Sequence, residues 1–207
     1  ANTKDAPAAI VEQLNRGVAT SSLWDAILLA GSELLMRKAA IVTLHATTAC
    51  NSLFYTFRQS GSDATRLLSL LQAASWITMF RDGARSRDGL PDKPHIDDFA
   101  PADSVPTNVA AIFDGLKQNR SQAAAQALAY ARAGGNPTTF FDAARHLILT
   151  KGTDAHDYKF AASALEDFTH ASPHARPQLL AASLFYLKGT HDSDSPLLQR
   201  ARGALSS

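Results

Sequence analysis

Apolar residues recur along this chain at three- and four-residue spacings, and no run alternates apolar with polar residues as a half-buried strand would. Alanine and leucine, two of the strongest helix formers, are abundant. We therefore predict an all-α protein, an irregular bundle of about nine to ten antiparallel-paired helices without a sheet. The predicted helices span 6–17, 22–37, 40–59, 63–82, 107–117, 121–133, 138–150, 156–170, 175–187 and 196–203.

Several of these helices have a chemically marked start. Ser22, Ser62 and Ser121 each precede or open a periodic segment, and a serine oxygen can accept a free N–H of the first helical turn. Asp154 can cap the helix at 156–170 in the same way. The pairs Asn136-Pro137 and Ser172-Pro173 place a proline where its missing N–H costs little, which supports a helix start at each.

The periodicity breaks once, in a stretch rich in proline, glycine, aspartate and arginine that ends at Pro106. We predict a long loop near 83–106 and expect it to be the most mobile internal region, because its composition cannot bury an apolar face. Such a loop is either a lid over a site or a connector between two helical halves. We find no internal repeat and expect residues 1–207 to form a single helical domain.

Charge and length exclude several classes of partner. The chain of 207 residues has 20 Lys plus Arg and 19 Asp plus Glu, and its net charge of +1 produces no overall field that would attract nucleic acid. No apolar run reaches the roughly 18 residues of a membrane span. Small molecules or proteins are therefore the expected partners, and the pattern leaves the oligomeric state open.

The sequence carries little information on cellular location. The single cysteine, Cys50, cannot form an internal disulfide, so a cytoplasmic location is consistent with the composition. The chain begins with Ala1 and has neither a basic start nor an apolar signal core. This start fits a mature end left by a removed leader, and it equally fits a piece of a longer chain.

The helix at 40–59 places a histidine, His45, among small residues. At about 100° per residue it shares a stripe with four others, and the opposite side is more polar. We take the polar side as the solvent face and expect His45 to point inward, where it either lines a pocket or is a core histidine bonded to a neighbouring helix. The first stripe is Ile41, His45, Ala49, Ser52 and Thr56, and the second is Thr43, Thr47, Asn51 and Arg58.

The helix at 156–170 follows a glycine-containing turn. Its wheel predicts an apolar face and leaves His156 on the other side, within the first turn, where free N–H groups favour anions. The start of this helix is either a site or a capped, solvated terminus. The predicted apolar face holds Tyr158, Ala161, Ala162, Leu165 and Phe168, and the polar face holds His156, Lys159, Ser163, Asp167 and His170.

Local motifs for metal or nucleotide chemistry are absent from the sequence. No two of the seven histidines form an uninterrupted i, i+4 pair on one helix, since Pro173 separates His170 from His174. A site built from distant helices, such as two histidines and a carboxylate, stays open. There is also no glycine-rich phosphate loop and no G-x-S-x-G elbow.

Four stretches taken together resemble a known family. They are LHATTACNSLFYTF, LLSLLQAASWITMF, DAHDYKFAASALEDF and RPQLLAASLFYLKG, and in this order they resemble the C-terminal half of questin oxidase-like proteins. The resemblance covers roughly residues 40 to 188. The family pattern His-x-x-Thr matches His45 and Thr48, and Leu-Leu-x-x-x-Gln-Ala matches at Gln72. Asp-x-His-x-x-Lys matches Asp154, His156 and Lys159.

The resemblance implies an oxidoreductase, or the C-terminal part of one, that inserts oxygen into a polycyclic aromatic or quinone substrate with NADPH as reductant. It implies a catalytic group of His45, His156 and Lys159 and places Gln72 in the substrate pocket. We add Ala49 and Ser52 to the predicted pocket from the His45 stripe, and Tyr158 as an aromatic residue, although the family often has apolar residues at positions 157 and 158. The chain has no counterpart of the family's N-terminal half.

Two other functions compete with the oxidoreductase hypothesis. One is a non-catalytic helical module that offers a groove to a protein, with Trp24 and the DGARSRDG stretch as candidates. The other is a metal-binding helical protein. Aromatic residues that could line a substrate pocket are Phe54, Tyr55, Trp76, Phe80, Tyr158 and Phe160, although such residues at helical spacing also build cores.

Overall fold

The computed structural model describes residues 5–206, so both ends of the predicted domain, Ala1 included, lie outside the described residues. This range contains ten α-helices, one short 3₁₀ turn at Ile96–Asp98 and no strand, which confirms the all-α prediction. The helices are α1 (Asp5–Asn15), α2 (Thr20–Arg37), α3 (Ile41–Gln59), α4 (Asp63–Asp88), α5 (Val109–Gly115), α6 (Arg120–Arg132), α7 (Pro137–Lys151), α8 (Ala155–His170), α9 (Arg176–Ser183) and α10 (Pro196–Leu205).

Side-chain caps mark most helix starts near the site. Ser62 accepts from Thr65 N at 3.4 Å, and Asp154 accepts from His156 N at 2.7 Å, as predicted. Asn136 caps α7, whose first residue is Pro137. The predicted caps at Ser22 and Ser121 are wrong, because α2 begins two residues earlier and Asn119 caps α6.

Helices α2, α3 and α4 pack against one another, and α1 covers part of α4. Their shared core centres on Trp24, whose ring lies 4.8 Å from that of Phe54. Trp24 is 1% exposed, so it cannot serve as the surface anchor of a protein-binding groove. A single buried indole of this size contributes several kcal/mol of hydrophobic stabilisation.

A second core joins the later helices to this group. The rings of Phe113, Phe140 and Phe141 form a row of tilted and edge-to-face contacts between α5 and α7. Phe168 of α8 extends this row. Helix α9 lies between the two groups and contacts α2, α6 and α8. Helix α8 is therefore held from several sides, and its remaining face is directed at α3.

The long loop is shorter and better tethered than its composition predicts. Residues 83–88 still belong to α4, which ends where Gly89 takes a left-handed conformation at φ 65°. Beyond it Leu90 and Ile96 are buried. Arg37 of α2 donates to Pro94 O at 3.0 Å, and Glu33 accepts from Ile96 N at 2.8 Å.

These tethers sharpen the expected pattern of limited proteolysis. A protease of low specificity should cut first within 103–105, where all three residues are exposed, and later within 83–88. The helical segment 83–88 needs local unfolding before it can enter a protease site. A first cut inside α6, identified by mass spectrometry of the fragments, would contradict this organisation.

No helix within residues 5–206 is both long enough and apolar enough to cross a bilayer.

Candidate functional site

An open cleft of about 550 Å³ lies between α3 and α8, with one side chain of α4 on its wall. The volume falls within the roughly 300–1,000 Å³ common for small-molecule sites. Helix α3 contributes Leu44, His45, Thr48, Ala49, Asn51 and Ser52; α8 contributes His156, Lys159, Ala162, Ser163 and Glu166; and α4 contributes Trp76.

Helices α3 and α8 run side by side in the same direction. His45 is beside His156 at one end of the cleft, Asn51 meets Ser163 further along, and Phe54 reaches His170 beyond it. Residue numbers rise in the same direction along both helices at these contacts, so α3 and α8 are parallel. The cleft therefore has a histidine end and an acidic end, where Glu166 pairs with Arg58 at 3.6 Å.

The two histidines form the histidine end as an edge-to-face pair. Their ring centroids lie 5.3 Å apart with an interplanar angle of 70°. The Asp154 carboxylate lies 3.4 Å from Nδ1 of the His156 ring. The same carboxylate caps α8 by accepting from the backbone N–H of His156 and of Asp157. A capping residue thus also orients the ring of His156.

Local charges bias the protonation of this end. The pKa of His45 is lowered below its ordinary value, first by partial burial and then by His156 and Lys159. The pKa of Asp154 is also lowered, chiefly because the two backbone N–H groups stabilise its charge. His45 is therefore neutral at neutral pH and can accept a proton.

The predicted inner and outer faces of α3 are wrong. Thr43, Thr47 and Asn51, placed on the solvent face, are buried, whereas His45 is exposed and borders the cleft. Burial of the threonines costs little free energy because their hydroxyls donate to backbone carbonyls. Thr47, for example, donates to Leu44 O of its own helix at 2.7 Å. The His45 ring is exposed and forms no hydrogen bond within residues 5–206, so the prediction of a bonded core histidine is also wrong.

The predicted faces of α8 are correct in part: Ala161, Leu165 and Phe168 pack against the core as predicted, but other members are misplaced. Ser163 and Asp167 are buried against α3, while Tyr158 and Ala162 of the predicted apolar face are exposed. Asn51 of α3 donates to Asp167 Oδ1 at 2.9 Å. A helical wheel cannot show this pairing, because the partner is 116 positions away in the chain.

The structure brings together five of the seven predicted site residues. His45, His156, Lys159, Ala49 and Ser52 all line the cleft. Their roles stay predictions.

Gln72 and Tyr158, the other two predicted pocket residues, do not line this cleft. Trp76, one turn after Gln72 on α4, is the residue that reaches the wall. Tyr158 instead lies over the α7–α8 turn and donates to Gly152 O at 3.2 Å. A Cβ at position 152 would lie 2.5 Å from Ile148 O and 3.3 Å from the Tyr158 ring, so this tight turn requires glycine.

Sequence reasoning missed the polar floor of the cleft. Asn51 was assigned to solvent, and Glu166 was not singled out. A usable signal was present: Thr47 and Asn51 on α3, and Ser163 and Asp167 on α8, each repeat at i, i+4. Two matching polar stripes on different helices indicate a polar helix interface. Of the proposed pocket aromatics only Trp76 lines the cleft.

Two other candidate chemistries are not supported in the described chain. Cys50 is fully buried, and burial followed by the charge of Asp167 raises the pKa of its thiol strongly, which keeps it protonated. Among residues 5–206, no three His, Cys, Asp or Glu side chains come together as a metal-binding group.

In comparisons with known proteins, no family model, no curated protein and no solved structure matches the chain.

Proposed function

We propose that this chain, alone or as part of a longer protein, is an oxidoreductase that binds a polycyclic aromatic or quinone substrate in the cleft between α3 and α8 and supports oxygen insertion into it. The observation that carries the proposal is the edge-to-face pair of His45 and His156, beside Lys159, in a cleft large enough for such a ligand. The resemblance to questin oxidase-like proteins supplies the reaction class.

The shape of the cleft suits a flat, elongated molecule. Its α8 wall runs from His156 to Glu166, which at 1.5 Å per residue is about 15 Å. Ala49 and Ala162 have small side chains and leave the middle of the cleft open. The Trp76 ring on the wall can stack on an aromatic ligand. Three fused rings can lie along this length with polar groups at both ends.

The histidine end can activate a phenol. Neutral His45 accepts the proton of a substrate hydroxyl, and the positive charge of Lys159, which already lowers the pKa of His45, stabilises the resulting phenolate. His156, oriented by Asp154, supplies a second polar contact. An electron-rich phenolate is the form of an aromatic ring that reacts most readily with an oxidant.

Oxygen insertion needs co-reactants from outside this site. One atom of dioxygen enters the substrate and the other leaves as water, which consumes two electrons and two protons; the resemblance implies NADPH as their source. Within residues 5–206 there is no strand and no glycine-rich turn ahead of a helix that would fit a resident dinucleotide.

The proposal is tested with a hydroxyanthraquinone, whose visible absorption changes when its phenol ionises. We expect the wild-type protein to bind the dye and shift this band, and His45→Gln to bind about tenfold more weakly, because one proton acceptor is lost. Where dioxygen consumption with NADPH is measurable, the same variant should lose on the order of 10²-fold in rate.

His146→Gln is the matched control, because His146 is an exposed histidine on α7 outside the cleft. It should behave as wild type, and circular dichroism should show that both variants stay folded. Absence of dye binding, or an equal loss in both variants, would overturn the proposal.

The alternative of a non-catalytic binding module keeps one supporting observation. Tyr55 of α3 and Leu68 and Met79 of α4 are large apolar side chains with exposures of 53%, 66% and 46%. If no aromatic probe binds, and if changing Leu68 and Met79 to Ser lowers self-association or partner binding in analytical ultracentrifugation, the module is the better description.

A further inference from the structure

A buried carboxyl group lies beneath the floor of the cleft. Asp167 of α8 is 7% exposed, and its neighbour Glu166 reaches the cleft itself. One atom links them: Asn51 Nδ2 lies 2.9 Å from Asp167 Oδ1 and 3.1 Å from Glu166 Oε2. The carbonyl of the same amide accepts from Ser163 Oγ at 3.3 Å. The Asn51 side chain is thus shared between a buried and a surface carboxyl.

No cation in the described chain pairs with Asp167. Arg58 of α3 reaches Glu166 instead. The pKa of His170 of α8 is lowered by burial and then by Arg58 and by Arg176 of α9, with Glu166 opposing. Cys50 of α3 is the other titratable group near it. Toward α2 and α9 a cavity of about 20 Å³, wide enough for one water, separates Asp167 from the hydroxyl residues Ser32 and Ser183.

We propose that Asp167 is a positioning residue for the cleft: while it is protonated, Asn51 is shared with Glu166, and when it ionises it draws the Asn51 amide to itself and releases Glu166 toward the cleft.

Of the two carboxyls, Glu166 is the one that moves, because its side chain is partly exposed and Asp167 is buried. The Glu166 side chain is 34% exposed and is already paired with Arg58. Asp167 is buried, and among residues 5–206 its side chain has Asn51 as its hydrogen-bond partner. The two N–H groups of Asn51 Nδ2 can serve both carboxyls while only Glu166 is charged. Once Asp167 is also charged, the two adjacent carboxylates repel each other and the buried charge strengthens its own hydrogen bond to the amide. Release of Glu166 makes the acidic end of the cleft more negative and frees an acceptor for a ligand.

The protonation of Asp167 supports this geometry. Its pKa is raised to about 7, mainly by burial, with the Asn51 hydrogen bond opposing and Glu166 adding to the rise. The carboxyl is therefore neutral below neutral pH and charged above it.

Nuclear magnetic resonance of the Asn51 side-chain amide tests the proposal without any ligand, so its result does not depend on the proposed function. Between about pH 5.5 and 8.5 both Nδ2 proton resonances should shift with one midpoint near 7. Asp167→Asn should abolish the transition. Glu166→Gln should keep it at a lower midpoint, because a neighbouring negative charge is removed.

Two controls separate this carboxyl from other groups. His170→Gln removes a histidine one turn after Asp167 on α8, and Asp142→Asn removes an exposed carboxyl of α7 that pairs with Arg145. Both should leave the Asn51 transition in place. An amide that does not shift over this range, a transition that survives Asp167→Asn, or one that disappears in His170→Gln would overturn the proposal.

Discussion

Asp167→Asn should make the protein more stable than wild type at pH 8, by an amount that shrinks as the pH falls. The folded pKa of Asp167, about 7, lies above its ordinary value of 3.8. Between these values the folded protein holds a proton that the unfolded chain releases, so wild-type stability falls as the pH rises. One pKa unit corresponds to about 1.36 kcal/mol, which limits the loss to about 4 kcal/mol. Asparagine at position 167 cannot ionise, so the variant does not lose this stability as the pH rises.

Urea unfolding at about pH 4, 6 and 8 measures this difference directly. The free energy of unfolding of the variant should exceed that of wild type increasingly from the lowest to the highest pH. Asp142→Asn, which changes an exposed carboxyl, should run parallel to wild type. A stability difference that is constant with pH would show that Asp167 does not titrate in the folded protein as described.

Lys188→Met should destabilise the protein by about 3–5 kcal/mol, because it leaves a buried carboxylate without its cation. Asp157, in the first turn of α8, has a side chain that is 4% exposed and lies 3.0 Å from Lys188 Nζ. It also accepts from Thr153 N at 2.9 Å. This pair fixes the start of α8 next to the α7–α8 turn, and thereby places His156 at the cleft.

Thermal or urea unfolding of three variants separates the pair from its surroundings. The double variant Asp157→Asn/Lys188→Met should recover part of the loss, because no unpaired charge remains. Lys117→Met, which changes an exposed lysine without an ion pair in the described chain, should stay within about 0.5 kcal/mol of wild type. If Lys188→Met is as mild as Lys117→Met, the buried pair does not anchor α8.

Helix existence and helix order could be predicted from the sequence because both depend on local terms. The apolar period, the caps at Ser62 and Asp154 and the proline after Asn136 act within one or two turns. The end of α4 could not be placed well, since residues 83–88 are polar enough for a loop. In the structure they continue the helix, and Ala84 is buried against neighbouring helices.

The composition of the candidate site was partly predictable, but its orientation was not. The resemblance pointed to His45, His156 and Lys159, and these side chains do meet. The faces of α3 were inverted, and Ser163 and Asp167 of α8 were placed on the wrong side, because polarity was taken as a sign of exposure. Hydroxyls that bond to their own helix carry little burial cost, so serine and threonine say little about which face is buried.

The sequence by itself determined that this protein is helical, where most helices start, and which histidines lie near helix ends. Tertiary structure alone decided that Asn51 and Asp167 are buried, and that His45 opens onto a cleft with His156. A buried amide and a buried carboxyl are tolerated only where each finds the other, 116 positions apart in the chain. That partnership depends on the packing of α3 against α8, which no local pattern encodes.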